Sequence, residues 1–150
     1  MKCCIQRADS AYVEIDGKIY SQIEKGLLVL VGFFNNDEES YIDFMSKKVC
    51  GLRIFENDSG KMDLSVQDIE GELLIVSQFT LAGEVKKGMR PDFMNAMHPE
   101  KAVRYYEKFI EKCKNILGES KVKTGVFGAK MKIGLVNNGP VTIILEKQEK

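Results

Sequence analysis

Two short segments hold the residues best suited to chemistry. Ser77-Gln78-Phe79-Thr80 follows the apolar run Leu73-Leu74-Ile75-Val76. It offers two hydroxyls and an amide to a polar pocket. A chain turning at that point would also aim backbone N–H groups at a developing oxyanion. The plainer reading is a strand end whose Ser and Thr satisfy loose backbone groups. Asn137-Asn138-Gly139-Pro140 stands between two strand-like runs. Asn-Gly is a strong turn signal, so the plainer reading here is a turn. Pro140 is less routine, because it removes a donor and restricts Gly139. An X–Pro bond is also where a cis peptide can occur. On the residues alone, the plainer reading leads at both places.

Most other chemistry is excluded. There is no G-x-S-x-G elbow, Walker loop or G-x-G-x-x-G. Gly125-Val126-Phe127-Gly128 is a weak glycine signal and no phosphate loop. His98 is the single histidine, and Cys3, Cys4, Cys50 and Cys113 form no C-x-x-C pair. Neither a zinc site nor a disulfide framework is expected, and no cofactor is implied. Lys and Arg together number 22, as do Asp and Glu. A neutral chain is a poor coat for long nucleic acid, but it can still grip the end of an RNA. No apolar run approaches the ~20 residues of a membrane span, and the first residues lack the pattern of a signal peptide. A cytoplasmic protein with no membrane partner is expected.

The elements that must position these segments are legible in outline. A chain of 150 residues is expected to form one domain over 1–150. Lys2 to Arg7 and Ala11 to Ile15 read as strands, Asp16-Gly17 as a hairpin turn, and Lys18 to Ile23 as the return. Leu27 to Phe33 is apolar on both faces and reads as a buried central strand. Asn36 is expected to cap a helix, with Glu39 as its reciprocal partner, and Tyr41, Ile42, Met45, Val49 and Leu52 share a face. Leu52 to Phe55 and Leu73 to Val76 read as strands. Ala82 to His98 lacks periodicity, and such a stretch in a small domain is often functional. Pro99 opens a second helix, and Gly118 ends it. Val122 to Phe127, Lys132 to Val136 and Val141 to Glu146 complete the strands. The expected fold class is α+β, a mainly antiparallel barrel-like sheet with two long helices packed outside.

Taken together, the two segments carry more. Leu73-Leu74-Ile75-Val76-Ser77-Gln78-Phe79-Thr80-Leu81 and Val136-Asn137-Asn138-Gly139-Pro140-Val141-Thr142 resemble the two signatures of the D-aminoacyl-tRNA deacylases. Supporting blocks run in order along the chain, among them Gln6-Arg7, Leu52-Arg53-Ile54-Phe55, Arg90-Pro91 and Thr124-Gly125-Val126-Phe127-Gly128-Ala129. Met131 is retained, whereas Phe33-Phe34-Asn35-Asn36 departs from the usual loop.

The resemblance implies hydrolysis of the ester between a D-amino acid and the terminal ribose of tRNA, with glycine also cleared. It implies a cis bond between Gly139 and Pro140, whose carbonyls accept hydrogen bonds from the substrate's α-ammonium. It implies a homodimer, with Gly139-Pro140 of one chain inserted into the pocket of the other, and Arg7 holding that loop. In this reading the N–H groups of Phe79 and Thr80 stabilise the oxyanion, while Ser77, Gln78 and Met131 line the substrate-binding pocket. The tRNA 2′-hydroxyl helps activate water, and the partner is the tRNA acceptor end. Lys86, Lys87 and Arg90 are equally readable as phosphate contacts or as solvated surface. The rivals are a non-catalytic tRNA-end or synthetase-associated editing module, and a generic esterase using Ser77 or Thr80 as nucleophile.

Overall fold

A computed structural model describes residues 1–149. In chain order the elements are β1 (Lys2–Ile15), β2 (Lys18–Ile23), β3 (Gly26–Gly32), α1 (Ser40–Gly51), β4 (Phe55–Glu56), β5 (Met62–Leu64), β6 (Glu72–Ser77), α2 (Pro99–Leu117), β7 (Val122–Thr124) and β8 (Lys132–Glu146). Short 3-10 turns occupy Phe79–Ala82 and Glu119–Lys121.

The long strand β1 organises the sheet. Along one edge, Lys2 to Ala8 pair with β3 and Ala11 to Ile15 pair with β2. Along the other edge it pairs with β8 over almost its whole length. The order β2-β1-β3-β6-β7 then curls round until the Ser21 hydroxyl of β2 donates to the Thr124 carbonyl of β7 at 2.6 Å. The sheet is therefore a nearly closed barrel, as expected. It is mixed rather than mainly antiparallel: β3 pairs with β6, and β6 with β7, in parallel. The two central strands of that parallel part, β3 and β6, are buried on both faces and carry the continuous apolar runs usual in parallel sheets.

Alternation within those runs divides the core in two. Leu27, Val29, Val31, Leu73 and Ile75 face the helices, where they meet Met45 and Val49 of α1 and Phe109 and Cys113 of α2. Leu28, Leu74 and Val76 face the barrel interior with Ala8, Ala11 and Val13. Pro99 stands at the first turn of α2, and Gly118, at φ 103°, ends it.

Several local expectations are corrected. Asn36 caps nothing. Helix α1 begins at Ser40 behind Glu39, with no side-chain cap, and Asp37 is the residue that organises the turn before it. Lys2 to Ile15 is one strand, not two. Leu52 to Phe55 and Val122 to Phe127 shrink to Phe55–Glu56 and Val122–Thr124. Asn137-Asn138-Gly139-Pro140 does not link two strands: it lies inside the single strand β8. Pairing runs from Ala8↔Asn137 straight to Gln6↔Thr142, so residues 138–141 bulge opposite Arg7 alone.

Candidate active site

A cavity of about 720 Å³ opens beyond the ends of the parallel strands β3 and β6, a size typical of small-molecule sites. Ser77, Gln78 and Phe79 form one side. Facing residues come from the loop after β3 (Phe33, Asn35) and from the aperiodic stretch (Phe93, Met97, His98). Phe127 and Met131 contribute from the segment between β7 and β8. Met131 packs on Gly125 so closely that a Cβ there would lie 2.6 Å from its sulfur. Beneath the cavity, the Tyr106 hydroxyl donates to the Ile75 carbonyl at 2.8 Å, and burial pushes its pKa upward. It is held as a neutral donor.

The 3-10 turn gives the Ser77–Thr80 segment its form. Gln78 N–H donates to the Val31 carbonyl at 2.7 Å, which ties the turn to the end of β3. The Leu81 and Gly83 N–H groups take the Gln78 and Thr80 carbonyls at 3.2 and 3.0 Å. The N–H groups of Phe79 and Thr80 open the turn, where no carbonyl of the turn itself can reach them. The Thr80 hydroxyl accepts from the Gln78 side-chain amide. Thr80 is exposed and does not line the cavity, and no histidine or carboxylate pairs with its hydroxyl among the described residues. A nucleophilic hydroxyl needs such a base.

The second segment lies elsewhere. The Gly139-Pro140 peptide bond is cis, with Gly139 at φ +134°. A side chain at Gly139 would bring its Cβ within 2.6 Å of Val141 Cγ2 and 3.2 Å of an Arg7 nitrogen. Arg7 is buried, unusual for a charged residue on a strand. Its Nε donates to the Asn138 carbonyl at 3.0 Å and its Nη1 to the Ile54 carbonyl at 2.8 Å. Two further bonds tie the bulge down: Val141 N–H to Asn137 Oδ1 at 3.1 Å, and Asn138 Nδ2 to Asp9 Oδ1 at 2.8 Å. Gly139 and Pro140 themselves are exposed. They do not line the 720 Å³ cavity, whereas Arg7 and Asn138 border a separate polar cleft of about 100 Å³.

Within one chain, then, Ser77, Gln78, Phe79 and Met131 meet in a single cavity, while Arg7, Gly139 and Pro140 gather elsewhere. Asn35, Phe93, His98 and Phe127 line the cavity, although none of them carried a site role on sequence alone. The missing periodicity of residues 82–98 was the signal available for two of them. Lys86, Lys87 and Arg90 are exposed on that stretch, Lys86 paired with Glu84 at 3.3 Å. Among the described residues, no group of three or more His, Cys, Asp or Glu is placed to hold a metal.

A nearly closed mixed barrel, backed by two helices and with a cavity beyond its parallel strand ends, defines an α+β fold. The model of the D-Tyr-tRNA(Tyr) deacylase family matches residues 4–146. A D-aminoacyl-tRNA deacylase of Persephonella marina is 51% identical over 148 residues, 99% of each chain. That of Cytophaga hutchinsonii is 49% identical over 150 residues, 100% of this chain and 99% of the relative. A solved structure of a c-Myc DNA unwinding element binding protein superposes with TM-score 0.95 at 41% identity, over 99% of this chain and 100% of that one. A probable eukaryotic D-amino acid tRNA deacylase shares the fold at TM-score 0.84 and 17% identity, over 96% of this chain and 97% of that one. The chain belongs to the D-Tyr-tRNA(Tyr) deacylase family.

Proposed function

We propose that this protein hydrolyses the ester joining a D-amino acid to the terminal ribose of tRNA, spares L-aminoacyl-tRNA, and clears glycine from mischarged tRNA. Water attacks the ester carbonyl, the bond to the ribose oxygen breaks, and that oxygen takes a proton. Family membership across the chain supports the reaction. One observation carries the chiral mechanism: an exposed Gly139-Pro140 pair on a bulge of β8, held by a buried Arg7. A side-chain pocket discriminates poorly, since one methylene is worth only ~1–3 kcal/mol. A backbone filter that grips the α-ammonium can instead fix the α-carbon, so that an L side chain meets the wall. Gly139 has no Cβ, which lets backbone approach the ligand closely.

Because Gly139 and Pro140 lie outside their own chain's cavity, the filter acts in this reading on a second copy, in a homodimer. The N–H groups of Phe79 and Thr80 receive the oxyanion, Ser77, Gln78 and Met131 shape the site, and the tRNA 2′-hydroxyl helps activate water. The partner is the tRNA acceptor end, and a substrate made for translation supports a cytoplasmic location. No described helix is long and apolar enough to cross a membrane.

One assay tests the reading. D-Tyr-tRNA, L-Tyr-tRNA, Gly-tRNA and a small tyrosyl ester are incubated with enzyme, and release of amino acid is followed. D-Tyr-tRNA and Gly-tRNA should be cleared while L-Tyr-tRNA stays. Equal loss of the L-form would sink the chiral filter. Turnover of the small ester through an acyl-enzyme would point to a Ser/Thr esterase, and binding without hydrolysis to an RNA-end module.

A further inference from the structure

Two charged side chains are buried among the described residues, Arg7 and Asp37. A buried charge is costly unless it is paired and hydrogen-bonded, so each must hold something in place. Arg7 fixes the Gly139-Pro140 bulge. Asp37 has no place in the site described so far, although it holds the turn whose Phe33 and Asn35 line the cavity.

The contacts of Asp37 converge on one short turn. Its Oδ2 accepts the Phe34 N–H at 2.8 Å, and its own N–H donates to the Phe34 carbonyl at 3.0 Å. Its Oδ1 pairs with the Met1 α-ammonium, which also donates to the Lys147 carbonyl at 2.9 Å. The Tyr105 hydroxyl of α2 donates to the Asp37 carbonyl at 3.3 Å. Asp37 therefore joins β1's start, the turn after β3, and α2.

That turn is clamped in its own right to the aperiodic stretch. The Asn35 N–H and side-chain amide donate to the Asn95 and Met94 carbonyls at 3.0 and 2.7 Å. The Met97 N–H donates to the Phe33 carbonyl at 3.0 Å. Phe33, Asn35, Met97 and His98 line the cavity. A residue range with little regular structure thus gains its position from the turn, and the turn from a buried carboxylate.

We infer that Asp37 is a positioning residue for the proposed deacylation site: it fixes the Phe33–Asp37 turn and, through it, the Phe93–His98 wall of the cavity. The inference rests on the proposed reaction for its kinetic consequence, but not for its structural one. A displaced wall weakens the fit to substrate, whereas the oxyanion donors on the Ser77–Thr80 side stay put. The effect belongs in KM more than in kcat.

The test is Asp37→Asn, which preserves shape and an acceptor for the Phe34 N–H but removes the charge. Amide exchange at Asn35 and Met97 should quicken by about tenfold or more relative to the barrel strands, as expected for local opening. The KM for D-Tyr-tRNA should rise by roughly tenfold with kcat nearly unchanged, the kind of loss that misplacement of a binding wall produces. Val49→Ala, a core truncation in α1, is the control for lost stability and should leave KM alone. Unchanged exchange at both amides, or a KM matching the Val49→Ala control, overturns the inference. Should the wild-type enzyme not hydrolyse D-Tyr-tRNA, the proposed reaction fails, and amide exchange alone decides the role of Asp37. Should Asp37→Asn not fold, Tyr105→Phe removes the hydroxyl that Asp37's carbonyl accepts. It should move both readouts the same way by less, and no movement in either would overturn the inference.

Discussion

At the residue scale, the two signature segments separate by what their atoms can do. Thr80 has a hydroxyl but no paired base among the described residues, and its side chain does not line the cavity. Thr80→Ala keeps the backbone N–H, so deacylation should stay within about tenfold of wild type. Removing an oxyanion donor, by contrast, typically costs ~10²–10³ in kcat. Abolished turnover with fold and tRNA binding intact would restore the hydroxyl as the reactive group. Gly139 is the opposite case, because its φ of +134° and the 2.6 Å approach to Val141 leave no room for a methyl. Gly139→Ala should lower kcat/KM for D-Tyr-tRNA by roughly a hundredfold, the scale of a misplaced reacting group. Circular dichroism should still report a folded chain. An alanine variant as active as wild type would exclude a backbone filter at this position. Arg7 shows the limit of reading one residue at a time. On its residue type alone it is a strand residue with an unremarkable charge, yet its guanidinium is held by the Asn138 carbonyl of the bulge and the Ile54 carbonyl before β4.

At the element scale, the chain was most legible where burial is one-sided or complete. The second helix, expected from Pro99 to Gly118, forms as α2 and buries Ala102, Tyr106, Phe109 and Cys113. The runs of β3 and β6 read correctly as buried strands. Their parallel pairing did not follow, since an apolar run on both faces does not state which way its neighbour points. Pro140 misled most. Proline ordinarily interrupts a ladder, so β8 read as two strands and a turn, yet the bulge lets one strand continue. Asn36 misled because its capping pattern was sound locally, whereas Asp37 won the turn through contacts distant in sequence. Tyr106 shows how burial gives an element a pH dependence. Its raised pKa means that the folded state favours the neutral hydroxyl. That contribution is fully present below the ordinary tyrosine value of about 10 and is lost as pH climbs above it. At pH 8, Tyr106→Phe should be less stable by about 1 kcal/mol, the worth of the bond to Ile75. Above about pH 10 the gap should close or reverse. Urea midpoints at both pH values check this, and a constant gap would refute it.

At the scale of the whole molecule, the proposed site is incomplete in one chain. The cavity holds Ser77, Gln78, Phe79 and Met131, but the bulge that would read chirality faces outward from a different part of the barrel. A closed two-fold dimer answers this directly, because each copy offers the same bulge and the same cavity to its partner. Mixing makes the arrangement testable. Gly139→Ala leaves the cavity whole and spoils the bulge, whereas Thr80→Pro leaves the bulge whole and removes an oxyanion N–H. Each alone should be nearly inactive. After subunit exchange, half of the dimers are mixed, and each mixed dimer carries one intact site and one doubly damaged site. Activity should therefore return to about a quarter of wild type, as two-fold symmetry requires. If Gly139 serves the cavity of its own chain, every site in the mixture keeps one lesion, and mixing restores nothing.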